Sequence, residues 1–175
     1  GIAPYIGYKV TGVDIRFRPP FHKNLERIKA SALKLPFADR VYDAVISVDV
    51  LEHLNNNQRH KAVFELIRTA KELVVIAVPC GRKAFLQDKL LSSFYRKQFN
   101  RKYPFFVEQL KLGLPEEGEI IEAVTLACNS LQIKVNLTIL DNENLKLREF
   151  LMKGWMTKNM IKDIFFRKIM LLAVP

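Results

Sequence analysis

The chain has 175 residues, with 28 Lys and Arg against 18 Asp and Glu and a formal net charge of +10. Apolar residues make up 49% and charged residues 26%, a globular composition that excludes disordered and collagen-like chains. This length predicts a single domain over 1–175 with one sizeable core. The longest apolar runs, Leu73 to Pro79 and Ile169 to Pro175, fall far short of the roughly 20 residues a membrane span needs. No basic-then-apolar leader opens the sequence. Cys80 and Cys128 are too few and too far apart for a zinc site or a redox pair, so a reduced, cytoplasmic setting without a metal is expected. The positive charge favours an anionic partner: a phosphate-bearing substrate, a nucleic acid or an acidic membrane face.

In chain order, Tyr8 to Asp14 alternates and is β-branched, which predicts a strand ending at an acid. Arg16 to His22, with Pro19-Pro20, reads as a loop. Arg27 to Ala30 is a short second strand, followed by the turn Leu35-Pro36-Phe37-Ala38-Asp39. Tyr42 to Val48 is almost continuously apolar, as expected of a strand covered on both faces. The cluster Asn55-Asn56-Asn57 predicts a helix start, and the apolar spacing of Ala62, Val63, Leu66, Ile67 and Ala70 extends that helix to Lys71. Leu73 to Pro79 reads as another buried strand. Strands alternating with helices in this way predict a parallel sheet with helices on both faces.

From Arg82 to about Leu114 the pattern turns basic and aromatic. Arg82, Lys83, Lys89, Arg96, Lys97, Arg101 and Lys102 interleave with Phe85, Phe94, Tyr95, Phe99, Tyr103, Phe105 and Phe106. Such a segment suits an anionic or lipid-linked substrate, an acidic membrane or RNA. The competing reading is an amphipathic helix whose aromatics are core, and no RNA-binding module accompanies the segment. Glu116 to Asn129 returns to helix, Ile133 to Ile139 alternates as a strand, and Glu143 to Lys162 reads as a helix broken near Gly154. Lys168 to Val174 reads as a last strand.

An acid at the carboxyl end of an early parallel strand is a recurrent ribose anchor, because its oxygens accept from both sugar hydroxyls. Asp14 occupies that kind of position, although Asp also ends strands simply because it starts turns. The features that follow are Ala30-Ser31-Ala32, Leu35-Pro36-Phe37, Tyr42-Asp43-Ala44-Val45-Ile46-Ser47 and Leu51-Glu52-His53-Leu54. With Asp14, this series resembles the class I S-adenosylmethionine-dependent methyltransferase family, most closely its ubiquinone-biosynthesis-type, methyltransferase-11-like subgroup. The resemblance covers roughly Lys9 to Pro79.

It implies a Rossmann-like α/β fold, a mostly parallel sheet closed by an antiparallel C-terminal strand, with Ile133–Ile139 and Lys168–Val174 as the final hairpin. It implies S-adenosylmethionine as cofactor. Asp14 would bind the ribose, Ile15 would pack on the adenine, and Ser31 and Ala32 would lie beside the adenine edge. Ser31 stands where the family more often has an acid. Ser47 and Val48 would line the methionine side, with Asp49 nearby. The family's first strand and glycine-rich loop do not appear ahead of the short Ile2–Ile6 segment, so Gly1 is expected to be the last glycine of that loop.

Methyl transfer is an in-line displacement in which positioning supplies much of the rate, and a base is needed only if the acceptor must lose a proton. His53 is the candidate base, and the competing reading is that it caps or packs a helix start. Residues 82–115 are the expected substrate lid. The acceptor is expected to be a small or lipid-linked molecule methylated on oxygen. The alternatives are an RNA methyltransferase and a non-catalytic interaction domain. A nicotinamide-binding Rossmann domain leaves Leu51-Glu52-His53 unexplained and ranks below these.

Overall fold

The computed structural model describes residues 3–141 and 144–173. The β-branched run forms β1, Val10–Asp14, which pairs in parallel with β2, Leu25–Lys29, with Val10 opposite Leu25 and Asp14 opposite Lys29. Gly12 leaves room for the neighbouring strand: a Cβ there would stand 2.6 Å from the Leu25 Cδ1 atom, and the leucine side chain would have to shift. β3, Tyr42–Val48, pairs with β4, Ala70–Ala77, in a separate two-stranded sheet. The Val41 N–H donates to the Thr69 carbonyl and the Asp49 N–H to the Ala77 carbonyl. Pairing therefore advances in the same direction along both strands, which makes them parallel. Mixed α/β structure with parallel strands is thus present, but as two small sheets rather than one wide one.

The helices are α1, Asn56–Thr69; α2, Gly81–Phe99; α3, Pro104–Leu112; α4, Glu117–Leu131; α5, Leu145–Trp155; and α6, Met160–Ala173. Pro104 opens α3 at the position where its missing N–H costs nothing. The Asn144 side chain caps α5, its Oδ1 accepting from the N–H groups of Lys146 at 3.0 Å and Leu147 at 3.2 Å.

The chain forms two compact units. The first contains the described residues up to Val48, then Asn56–Ile76 and Ile120–Lys134. Its core is the apolar stripe of α1 (Ala62, Val63, Leu66 and Ile67) with Ala123, Val124, Ala127 and Cys128 of α4. The Arg68 guanidinium ties this unit together. It donates to Glu65 Oε1 at 2.9 Å and Oε2 at 2.8 Å, to Asp39 Oδ1 at 2.6 Å, and to the carbonyls of Phe37 at 2.8 Å and Leu35 at 3.2 Å. Glu65 Oε2 also accepts the Leu35 N–H at 2.6 Å. The Arg68 hydrogen bonds hold the Glu65 carboxyl below its usual range, against burial that pushes it up, and the Leu35 amide adds to the lowering.

The second unit contains Asp49–Asn55, Ala77–Glu119 and the described residues from Val135 onward. Its core is Leu91, Tyr95, Phe106 and Met156, with Phe94, Phe99, Tyr103 and Phe105 packed against it. Of the aromatics of the basic segment, Tyr95 and Phe106 are buried, and Phe94, Phe99, Tyr103 and Phe105 are partly buried against them. Arg148 of α5 donates to Asp88 Oδ1 at 2.7 Å and to Gln87 Oε1 at 2.8 Å, and so staples α5 to α2. Burial raises the Asp88 carboxyl above its usual range despite the guanidinium beside it.

Several expectations are corrected. Lys168 to Ala173 is helical, the end of α6, rather than a strand. Its Met, Leu and Ala residues are strong helix formers continuous with an apolar helix before them, and a short apolar run does not distinguish strand from helix by periodicity. Val174 lies outside the described residues. Ile133 to Ile139 is irregular, with Val135, Leu137 and Ile139 about half exposed. An alternating sequence becomes a strand only beside a partner, and none accompanies it among the described residues, so the final antiparallel hairpin is absent from them. β3 and β4 are not covered on both faces, since Ile46, Val48, Leu73 and Val75 are all exposed. The break expected near Gly154 falls just beyond it, because α5 runs on to Trp155. Glu143, its expected start, lies outside the described residues.

Gly154 has another role: a Cβ there would run into the Phe166 ring of α6. A glycine-to-alanine change inside a helix normally gains about 1 kcal/mol, whereas overpacking costs about 1–3 kcal/mol. Gly154→Ala is therefore expected to lower the denaturation midpoint rather than raise it. Arg68→Ala leaves the part-buried Glu65 without its cation and is expected to cost about 1.5–3 kcal/mol in urea denaturation. Glu65, with its folded pKa depressed, contributes stability that is fully present above the ordinary carboxylate value of about 4.3. That stability is lost as pH falls through the lower folded value, so Glu65→Gln should flatten the acid limb of the stability profile.

Candidate cofactor and catalytic site

Asp14 ends β1 with its carboxylate exposed. Oδ1 accepts the Arg16 N–H at 2.8 Å, which turns the chain away from the strand, and the Asp14 carbonyl accepts the Ala30 N–H at 3.2 Å. The end of β1 therefore sits beside the residues leaving β2. There Ser31 Oγ accepts the Leu33 N–H at 3.2 Å, and Ser31 bridges to Lys34. Ser31 and Ala32 thus lie in a closed turn next to Asp14. Ile15 follows, 68% exposed, an apolar side chain facing solvent beside a carboxylate.

This donor set fits the ribose and adenine of S-adenosylmethionine. Asp14 retains acceptor capacity for two hydroxyls, and Ile15 offers an uncovered apolar surface to a base.

Ser47 is buried and Val48 half exposed at the end of β3, whose ladder partner is β4 rather than β1 or β2. Asp49 follows with φ +53°, in the left-handed region that Asp tolerates better than most residues. Its N–H donates to the Ala77 carbonyl at 3.0 Å, so the reversal after β3 is held by backbone. Gly1, expected in the glycine loop, lies outside the described residues.

His53 closes a single 3-10 turn, Leu51–His53, in the second unit. Its Nδ1 is 3.4 Å from Glu108 Oε2 and its Nε2 is 3.8 Å from Glu52 Oε1. The Phe105 ring meets it edge-on at 5.7 Å. The side chain is 32% exposed, which combines orientation with access, as a base requires. Glu108 carries no local sequence signal as a partner, because α3 brings it to His53 from far along the chain. The other histidines have structural surroundings: His22 Nδ1 accepts the Asn24 N–H within its own loop, and His60 lines a groove of ≈ 300 Å³ between α1 and α4. Among the described residues neither Cys80 nor Cys128 is in a disulfide, and burial raises the Cys128 thiol above its ordinary value.

Residues 2–77 match the family model described as a methyltransferase domain. The match supports a class I S-adenosylmethionine-dependent methyltransferase family for that part of the chain, and with it a Rossmann-like fold. Among curated proteins, an uncharacterized protein of Methanocaldococcus jannaschii is 23% identical over 82 residues, 47% of this chain. The aligned region spans 36% of that relative's length.

Proposed function

We propose that this protein is an S-adenosylmethionine-dependent methyltransferase of the ubiquinone-biosynthesis-type subgroup, acting on oxygen of a small or lipid-linked acceptor. The observation that carries the reading is Asp14, an exposed carboxylate at the carboxyl end of parallel β1, within the stretch that matches the methyltransferase model. S-adenosylmethionine, when bound, supplies a methyl group on an electrophilic sulfonium. Asp14 accepts the ribose hydroxyls, Ile15 packs on the adenine, and the Ser31–Ala32 turn borders the adenine edge. Ser47, Val48 and Asp49 line the methionine side.

His53 takes the acceptor hydroxyl proton, with Glu108 orienting the imidazole. Residues 82–115 recognise the acceptor through their basic side chains. Burial of Tyr95 and Phe106 in the core removes stacking surface from RNA and favours a small or lipid-linked acceptor over a nucleic acid. A cytoplasmic setting belongs to this reading, as two cysteines far apart in the sequence suit a reducing compartment.

Calorimetric titration of S-adenosylhomocysteine into the full-length protein tests the cofactor assignment. Loss of charged hydrogen bonds of about 1.5–3 kcal/mol predicts roughly 10- to 100-fold weaker binding for Asp14→Ala. No binding by the unsubstituted protein would sink the reading. For catalysis, transfer of labelled methyl from the cofactor to candidate acceptors is the assay. His53→Gln is expected to slow turnover by about 10²- to 10⁴-fold while cofactor affinity stays unchanged. A lower melting temperature with unchanged turnover would instead make His53 a packing residue.

A further inference from the structure

The second unit carries an apolar surface where α5 and α6 meet solvent. On α6, Met160, Ile161, Ile164 and Phe165 recur at the spacing of one helix face, and Met160 and Ile161 are 77% and 80% exposed. Trp155, at the end of α5, is 59% exposed. Phe166 points the other way, onto Phe150 and Gly154 of α5, so the helix is anchored by one side and presents the other. The four α6 side chains adjoin one another on that face, and an exposed apolar group of this size marks an interaction surface rather than ordinary scatter.

The charges around this face indicate what it meets. Residues 144–173 contain seven Lys or Arg and only two acids, Glu149 and Asp163. Each acid is held in an exposed i, i+4 pair, Glu149 with Lys153 and Asp163 with Arg167. Such pairs contribute little and exchange readily for other anions. Lys146, Lys158 and Lys168 are exposed, and Lys158 lies 5.3 Å from the centre of the Phe99 ring. An apolar helix face bordered by cations is the pattern of a helix lying in a lipid–water interface, its lysines reaching back to the headgroups. A groove of ≈ 530 Å³, lined by Phe94, Phe150, Phe165, Phe166 and Lys153 among others, continues the apolar surface inward from the same face. No described helix is long and apolar enough to cross a membrane, so α6 would lie on a bilayer and not through it.

We propose that α5 and α6 form a docking surface for an anionic phospholipid bilayer, with Trp155, Met160, Ile161, Ile164 and Phe165 entering the interface and the flanking lysines pairing with lipid phosphates. Cations near an anionic leaflet add to the attraction, so attachment is electrostatic as well as apolar. The surface is independent of Asp14 and His53, so docking and methyl transfer succeed or fail separately.

The test is co-sedimentation of the full-length protein with phosphatidylglycerol vesicles and with phosphatidylcholine vesicles, at low and high salt. Trp155, the sole tryptophan, reports its own surroundings. Expected are binding to phosphatidylglycerol at least about tenfold tighter than to phosphatidylcholine, weakening with salt, and a blue shift of Trp155 emission. The double variant Ile161→Glu/Phe165→Glu changes exposed side chains and should keep the parent circular dichroism and melting temperature while losing at least about tenfold in vesicle affinity. Unchanged Trp155 emission with no phosphatidylglycerol binding would overturn the proposal. So would a stable dimer in sedimentation velocity that the double variant abolishes, since a second copy would then cover this face.

Discussion

The first unit depends on one guanidinium. Arg68 sits in the last turn of α1 and reaches two carboxylates and two carbonyls of the turn that precedes β3. Its own carbonyl accepts the Arg40 N–H at 2.8 Å, and its neighbour Thr69 accepts from Val41 at 3.0 Å. The residue that pins the turn therefore also begins the β3–β4 ladder. Arg is suited to this because its planar fork has five donors in fixed directions, which a lysine cannot reproduce. With side-chain exposures of 15% for Arg68 and 12% for Glu65, each charge needs the other. Placement of β3 then determines where Ser47, Val48 and Asp49 leave the sheet.

The second unit uses the same device in a drier place. Arg148 meets Asp88, whose side chain is fully buried, and Gln87 completes the contact by donating to the Leu145 carbonyl at 2.6 Å. The two carboxylates respond in opposite directions. Glu65 is held below its usual range by several donors, whereas Asp88 is raised because desolvation outweighs its single cation. Around the Arg148 staple the aromatics of α2 and α3 stack in sequence, Tyr95 on Phe99 at 4.6 Å and on Tyr103 at 5.1 Å.

The site separates local from distant determinants in a similar way. Asp14, Ile15, Ser31 and Ala32 sit at the ends of adjacent parallel strands, so their grouping follows from the strand boundaries alone. His53 owes its surroundings to α3, which supplies Glu108 and Phe105 from a separate helix. A run such as Leu51-Glu52-His53 carries no information about which carboxylate will face the imidazole.

What the sequence determined by itself is local. The β-branched alternation of β1, the apolar run of β3, the stripe of α1 and the helix of α4 were legible because backbone sterics and periodicity act within a few residues. That β1 ends at Asp14 was legible for the same reason. Tertiary structure decided everything that depends on a partner. Residues 133–139 alternate as a strand does, but without a neighbouring strand they remain irregular. The apolar run after Lys168 is helical because it continues a helix that α5 receives through Gly154 and Phe166. The open faces of β3 and β4, the Glu108–His53 contact and the apolar surface of α6 share that origin. Burial and pairing are properties of two segments at once, and a single segment read alone carries only half of each.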